Sequence, residues 1–290
     1  MASGLYIYAA GFDEIYFRCQ IFSVGTVSSI VTLLSDFGTR DHYVAAMKGV
    51  ILTRLPEAVF VDISHDVLPR DIATAAYLLA GCRRDFPAGT VHLAVVDPGV
   101  GSERLPMALA AAGQFFVGPD NGVFTHILRE TEKWSARRIA AEDLMRVPVS
   151  ATFQGRDIFA PTAAALASGM PFDEVGPPIE KPVELDLPEV IVAEREVRGA
   201  IIHVDRFGNL ITNIRAGHLA AAGLKPEIMA ATIAGESVKD FADYYAAGPH
   251  GKPFLLFGSG GYLELAVRGG SAADTLDAER GNAIQIRWNG

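Results

Sequence analysis

The sequence predicts an α/β protein with a Rossmann-like N-terminal α/β domain and a smaller C-terminal all-β domain. Short apolar segments alternate with segments of helical periodicity over the first part of the chain. Four prolines then crowd residues 176–188, which indicates a linker. Beyond them, short strand-like segments are separated by Gly and Asn turns. The length of 290 residues fits about two domains, at roughly 150 residues each.

The first elements form strand–helix units. Strands are predicted at residues 29–34, 58–63 and 90–96, and the two helices between them at 42–54 and 73–82. Segment 90–96 is apolar throughout, which is typical of a strand buried on both faces of a parallel sheet. The alternation therefore predicts βαβ units with right-handed crossovers.

Weaker signals complete the two domains. A strand at 115–117, a turn at 118–122 and a helix ending at Leu128 come next, and an Ala-rich helix is predicted at 157–169. The C-terminal domain is predicted to be a barrel or a sandwich, with strands at 196–204, 228–233, 252–257, 262–267 and 283–288. We therefore divide the chain into an extension of uncertain status at 1–29, an α/β domain at 30–180 and a β domain at 181–290.

Composition and charge exclude several classes of function. The formal net charge of −9 and the scattered Lys and Arg residues argue against a nucleic-acid surface. No apolar segment approaches the ~20 residues of a membrane span. The two cysteines fit a reducing compartment, so we expect a cytoplasmic protein. None of the seven histidines has the spacing of a metal ligand set, and we expect no metal.

Two aspartates lie where predicted strands of the α/β domain end. Asp36 follows the first strand, at the edge where open α/β sheets bind ligands, and its carboxylate could accept hydrogen bonds from the two hydroxyls of a ribose. A turn or N-cap aspartate is the alternative interpretation. Asp97 begins a loop in which Gly99 and Gly101 would let a ligand approach the backbone. Such a loop also occurs in class I methyltransferases, although Pro98 fits it poorly.

Three further segments allow either a structural or a functional interpretation. Gln154 precedes a helix for which Asp157 is a plausible N-cap. The segment 205–209 has the pattern of a hairpin turn, and 259–264 that of a glycine turn entering a strand. Each pattern alone is weak, because turns of these compositions are common.

Taken together, these segments resemble one family, the S-adenosylmethionine (SAM) hydroxide adenosyltransferases, or adenosine-forming SAM hydrolases, relatives of the fluorinases and chlorinases. Seven motifs in family order, from about Ile30 to the C-terminus, carry the resemblance. They are Ser35-Asp36-Phe37-Gly38, Asp62-Ile63-Ser64-His65, Val96-Asp97-Pro98-Gly99-Val100-Gly101-Ser102-Glu103-Arg104, Pro119-Asp120-Asn121-Gly122, Phe153-Gln154-Gly155-Arg156-Asp157-Ile158-Phe159, Asp205-Arg206-Phe207-Gly208-Asn209 and Gly258-Ser259-Gly260-Gly261-Tyr262-Leu263-Glu264.

The resemblance implies a fold, an assembly and residue roles. It implies a C-terminal β-barrel and a homotrimer that binds its small-molecule substrate between the N-terminal domain of one subunit and the C-terminal domain of its neighbour. Catalysis would fall to Asp97, Arg104 and the residue at position 154, without a cofactor. Substrate binding would fall to Asp36 at the ribose, and to Asp97, Phe207, Asn209, Ser259, Glu264 and the backbone of Val267 around the adenine and methionine parts.

Two positions depart from the family pattern. The hydrolases typically have His where this chain has Gln154, and Asn is common at Arg268. The loop after Asp97 lacks the insertion that the halogenases use around the halide, which favours water as the nucleophile.

The resulting hypothesis is hydrolysis of SAM to adenosine and methionine by attack of water or hydroxide on the ribose C5′. The alternatives are a non-catalytic SAM- or adenosine-binding protein, a methyltransferase and a halogenase. The non-catalytic protein is suggested by Gln154, which cannot take up a proton near neutral pH.

Overall fold

The computed structural model describes residues 29–225 and 229–288. The predicted extension at 1–29 lies outside the described residues except for Ser29. None of the helices in the described ranges is long and apolar enough to cross a membrane.

The first sheet has six strands in the order β2-β1-β3-β5-β4-β6. Strands β1, β2, β3 and β5 pair in parallel, whereas β4 pairs antiparallel with both β5 and β6. The strands are β1 (Ile30–Ser35), β2 (Val59–Ser64), β3 (Val91–Val95), β4 (Pro106–Ala111), β5 (Gln114–Pro119) and β6 (Trp134–Arg138). The predicted parallel strands are thus confirmed, but the sheet is mixed, because β4 pairs antiparallel with β5 and β6. Neither β4 nor β6 was predicted.

Four helices cover the two faces of this sheet: α1 (Tyr43–Arg54), α2 (Ile72–Cys82), α3 (Thr125–Glu130) and α4 (Ala160–Ala167). Helix α1 packs on α4, and α2 packs on α3. Of the five residues with helical apolar spacing in the first helix, Met47 and Ile51 are fully buried in the core beneath α1 and α4, whereas Tyr43 is 40% exposed. Burial of each such side chain contributes roughly 1.5–3 kcal/mol to stability.

The start of the fourth helix differs from the sequence prediction. Residues Gly155–Phe159 form a π-helical turn that leads into α4. Asp157 is inside that turn, and its buried carboxylate pairs with Arg156, so the expected N-cap role is wrong. The π-helical turn is a local irregularity of a kind that is frequent at functional sites.

The second sheet has eight strands, whose pairings are all antiparallel. The pairing order is β11-β10-β14-β8-β9-β13-β12, and β7 pairs with β8. The strands are β7 (Ile191–Ala193), β8 (Glu196–Val204), β9 (Leu210–Arg215), β10 (Met229–Ile233), β11 (Glu236–Val238), β12 (Pro253–Phe257), β13 (Tyr262–Val267) and β14 (Ala283–Trp288). The terminal strands β11 and β12 also contact each other, so the sheet is nearly a barrel.

Short helices accompany the two sheets. Helices α5 (Ala216–Ala221) and α6 (Ala272–Leu276) lie between strands of the second sheet in the chain. The sequence predicts an all-β domain there and does not include these helices. Single 3₁₀ turns are formed by Arg83–Asp85, Glu142–Leu144, Phe172–Val175 and Tyr245–Ala247. These helices are too short to show a clear hydrophobic periodicity, which is why the sequence did not predict them.

Helix α2 joins the two sheets. It packs against β8, where the rings of Tyr77 and His203 stack with centroids 4.7 Å apart. At the beginning of α2, Arg280 donates to Asp71 at 2.5 Å. The second sheet is therefore docked on the α2 side of the first.

Candidate active site

The candidate site lies at the carboxyl edge of the first sheet. Asp36 directly follows β1, and Asp97 follows β3 by two residues. In the order β2-β1-β3-β5-β4, the chain leaves β1 towards β2 on one side and leaves β3 towards β4 on the other, so the connections diverge between β1 and β3. Crevices at such a switch point are where α/β sheets bind ligands. The topology thus brings the two predicted aspartates to one edge.

Arg104 contacts both of the other predicted catalytic side chains, Asp97 and Gln154. The Nε of Arg104 donates to both carboxylate oxygens of Asp97, at 2.9 and 3.1 Å, and its Nη2 also bonds that carboxylate. The same Nη2 donates to the Oε1 of Gln154 at 2.5 Å. The side chains of Asp97 and Arg104 are 6% and 10% exposed, so the ion pair is largely removed from water. Arg104 therefore links the carboxylate to the amide in a fixed arrangement.

A tight loop positions Arg104 beside Asp97. The hydroxyl of Ser102 donates to the carbonyl of Gly99 at 2.7 Å, which closes the turn after β3. Gly101 has a φ of 79°, and a Cβ there would lie 2.6 Å from the carbonyl oxygen of Ala151. Only glycine fits this position, because the conformation is left-handed and the neighbouring backbone is too close. The contact holds the Asp97 loop against the segment that leads to Gln154.

Gln154 sits at the entrance to the π-helical turn. Gly155 packs against Met47 of α1 and Val95 of β3, which fixes the turn over the sheet. Burial alone would raise the pKa of Asp157, but hydrogen bonds from Arg156 and from the Ser150 amide lower it below its ordinary value. This charged, paired carboxylate anchors the segment that carries Gln154.

Asp36 is held by backbone and by a histidine motif. Its Oδ2 accepts a hydrogen bond from the amide of Arg70 at 2.8 Å. Next to it, Ser35 shares a hydrogen bond of 2.7 Å with Nδ1 of His65, whose Nε2 lies 3.1 Å from Asp62. The Gly38 amide donates to the carbonyl of His65 at 2.8 Å. The Asp62–His65 motif thus braces the loop of Asp36.

The Asp120-Asn121 motif also supports loops near the carboxyl edge. The side-chain Nδ2 of Asn121 donates to the carbonyl of Val96 at 2.9 Å, which steadies the residue before Asp97. Asp120 accepts from the amide of Val183 at 2.8 Å, and burial raises the pKa of its carboxyl group.

A second candidate region is a cavity of about 600 Å³ on the second sheet. It contains three predicted substrate-binding residues, Phe207, Asn209 and Val267. All of its lining residues fall between positions 205 and 270, so this cavity belongs to the second sheet alone. Phe207 is 76% exposed, which is unusual for an aromatic side chain beside a cavity.

Asp205, for which the sequence predicted no role, organises this cavity. Its Oδ1 accepts from the amides of Phe207 and Asn209 at 2.8 and 2.9 Å, and its Oδ2 from the side-chain amide of Asn209 at 2.8 Å. Asp205 therefore fixes the orientation of Asn209. The signal was the aspartate at the first position of the turn, where such side chains bond the backbone two residues on.

Glu264 is buried behind the same cavity. The hydroxyl of Tyr245, which lines the cavity, donates to its Oε2 at 2.8 Å. Burial raises the pKa of Glu264 and also that of Tyr245, and the hydrogen bond to Glu264 raises the tyrosine pKa further. Tyr245 was not predicted as a site residue, because nothing local in the sequence links it to Glu264.

Ser259 lines a different cavity, of about 620 Å³, together with Tyr77, Arg215 and Tyr262. Its predicted role near the methionine stays a prediction. Among the residues that the structure describes, no group of three or more His, Cys, Asp or Glu side chains is arranged to hold a metal ion.

Comparisons with known proteins match most of the described chain. Residues 31–176 match the family model "SAM hydroxide adenosyltransferase N-terminal domain", and residues 199–285 match that of the C-terminal domain. The chain is 38% identical over 271 residues to an (R)-S-adenosyl-L-methionine hydrolase of Thermus thermophilus, covering 88% of this chain and 98% of the relative. A fluorinase of Actinoplanes sp. is 28% identical over 291 residues, covering 89% and 97%.

A solved structure is also similar. The crystal structure of an uncharacterized conserved protein from Thermotoga maritima superposes with a TM-score of 0.83 and 34% identity, covering 89% of this chain and 99% of that one.

Proposed function

This chain belongs to the SAM hydroxide adenosyltransferase family, and from that premise we propose that it hydrolyses SAM to adenosine and methionine. The observation that carries the proposal is the buried contact of Arg104 with both Asp97 and Gln154. The names of the relatives, (R)-SAM hydrolases, support the R-configured sulfonium as the substrate.

Methionine is a leaving group that needs no activation by the protein. Water attacks the ribose C5′, a C–O bond forms, the C–S bond breaks, and its electron pair stays on sulfur as the neutral thioether of methionine. The released proton goes to solvent. Because no acid is needed at sulfur, the protein's task is to hold water or hydroxide in line with the C–S bond. The Arg104 guanidinium would stabilise the developing hydroxide, with Asp97 and Gln154 fixing its position.

The remaining predicted residues would bind the substrate. We propose that Asp36 accepts hydrogen bonds from the ribose hydroxyls, and that Phe207, Asn209 and the Val267 backbone contact the adenine. Glu264 would act through its bond to Tyr245. Ser259, which lines a separate cavity, would lie near the methionine carboxylate.

We further propose that residues 30–180 and 181–290 act as two domains and that the protein is a homotrimer with its sites between subunits. Two observations support this assembly. The cavity at Phe207 is lined by the second sheet alone, and Phe207 is 76% exposed beside it. An exposed aromatic next to a half-formed cavity is typical of an interface. Free Cys82 fits the expected cytoplasmic location.

The test is incubation of the purified protein with SAM alone, with adenosine and methionine followed by chromatography and mass detection. We expect equimolar products at a rate well above that of the Asp97→Ala variant. Binding of SAM without turnover would instead support a binding protein. Formation of S-adenosylhomocysteine with an acceptor, or of a halogenated adenosine with halide, would support the methyltransferase or the halogenase alternative.

A further inference from the structure

Within the described part of the chain, one backbone amide bonds the carboxylate of Asp36, the residue proposed to bind the ribose. The Oδ2 of Asp36 accepts from the amide of Arg70 at 2.8 Å. Arg70 has a φ of 70°, in the left-handed region that non-glycine residues rarely adopt. A residue in this conformation persists when its surroundings hold it there. Contacts that hold the backbone next to Arg70 therefore influence the position of the Asp36 carboxylate.

The following residue, Asp71, is firmly held. It is the N-cap of α2, where it accepts from the amide and the hydroxyl of Thr74 at 3.0 and 2.7 Å. Arg280 donates from one Nη1 to Asp71 at 2.5 Å and to the Thr74 hydroxyl at 2.8 Å. The Asp71 side chain is only 12% exposed, so its charge is partly removed from water. Burial would raise the pKa of Asp71, but these hydrogen bonds lower it and keep the carboxylate ionised.

Arg280 comes from the second sheet, between α6 and β14, and is 209 positions away in sequence from Asp71. We propose that Arg280 is a positioning residue for substrate binding. By fixing Asp71 it holds the Arg70 amide against Asp36 and so sets the affinity of the site for a ribose. The contact between the second sheet and α2 thereby affects substrate binding at the candidate active site of the same chain. This inference rests on the proposed ribose-binding role of Asp36.

The test is a double-mutant cycle with Arg280→Ala and Asp36→Ala, read out as KM and kcat for SAM. We expect Arg280→Ala alone to raise KM roughly threefold to tenfold with little change in kcat, the scale for losing a partly exposed ion pair that positions a binding group. In the Asp36→Ala background the same substitution should leave KM unchanged. Arg280→Lys should recover part of the loss, since its ammonium can still reach one carboxylate oxygen.

The matched control is Arg287→Ala. Arg287 also belongs to the second sheet and forms a partly exposed ion pair, with Glu196 at 3.3 Å, but its partner lies in the same sheet. We expect this variant to keep the KM of the wild type. Thermal unfolding of each variant shows whether it remains folded at the assay temperature.

A KM that is unchanged by Arg280→Ala, or raised by the same factor with and without Asp36, would overturn the inference. Calorimetric titration with adenosine separates it from the proposed function. If the wild type binds adenosine but does not hydrolyse SAM, the proposed function fails. The adenosine Kd values of the wild type, the two single variants and the double variant then still decide the role of Arg280. If the wild type does not bind adenosine either, the inference fails as well.

Discussion

The guanidinium of Arg104 has two partners of different kinds, a carboxylate and a neutral amide. Asp97 balances its charge, whereas Gln154 accepts one N–H without adding charge. A neutral imidazole at position 154 could accept the same hydrogen bond from Arg104. The difference between the amide and the imidazole is that only the imidazole titrates near neutral pH.

This difference predicts the behaviour of two variants of Gln154. Gln154→Ala should lower kcat about tenfold to a hundredfold, because Arg104 loses a partner that orients it. Gln154→His should retain activity above a pH of about 6.5 and lose it below, because the imidazolium cannot accept from Arg104. Initial rates of SAM hydrolysis between pH 5 and 9 test both. An alanine variant with the rate of the wild type would show that Gln154 has no part in catalysis.

At the scale of elements, the site depends on loops that are packed against each other. The loop after β3 carries Asp97 and Arg104, and the π-helical turn before α4 follows Gln154. Gly101 forms the close contact between these two segments. The sheet supplies their common base, because the carboxyl ends of β1 and β3 meet at the switch point.

Gly101→Ala should therefore separate the two loops. The left-handed φ and the 2.6 Å approach to the Ala151 carbonyl both oppose a Cβ, so we expect a loss of about 1–3 kcal/mol of stability and a lower kcat. The control is Gly49→Ala in α1, where a Cβ would meet nothing within 4 Å. That change should instead stabilise the helix by roughly 0.5–1 kcal/mol. Denaturant unfolding and SAM hydrolysis measure both effects, and an unaffected Gly101→Ala enzyme would contradict the packing argument.

A pH dependence belongs to the segment around Asp157. Its pKa is lowered in the folded protein, so its contribution to stability is present above the ordinary aspartate pKa and is lost as pH falls through the lowered value. Asp157→Asn should reduce the free energy of unfolding by about 1–3 kcal/mol at pH 7, because Arg156 and the Ser150 amide lose a charged acceptor. The difference from the wild type should shrink below about pH 4. Urea unfolding of both proteins across this range measures it; a difference independent of pH would contradict the assignment.

At the scale of the whole molecule, the two candidate halves of the site lie on different sheets. One half lies in loops at the edge of the first sheet and contains Asp97, Arg104 and Gln154. The other half, the cavity at Phe207, is lined only by residues of the second sheet and its loops. A closed ring of subunits would bring such halves together in every interface.

Subunit complementation tests this assembly. Asp97→Ala removes the N-terminal half of the site, and Asn209→Arg fills the cavity of the C-terminal half. Co-expressed, the two inactive variants should regain about a quarter of the wild-type sites, since random assembly pairs the two intact halves in that fraction of interfaces. The control pair, Asp97→Ala with Arg104→Ala, carries both lesions in the same half and should stay inactive. No gain from the first pair would mean that each chain contains a whole site.

The sequence by itself determined most of the elements and indicated the candidate site residues, whose roles stay predictions. Hydrophobic periodicity and an aspartate at the end of a strand are local features of the sequence. They predicted β1 to β3, α1 and α2, and they indicated Asp36 and Asp97 as candidate site residues. The polar edge strand β6 and the Ala-rich β4 were missed, since neither has the composition typical of a strand. The order of the sheet and the contact of Arg104 with Gln154, 50 positions apart, were decided by tertiary structure. So were the Tyr245–Glu264 bond and the reach of Arg280 to Asp71, because contacts between distant segments form only when the packed sheets bring those segments together.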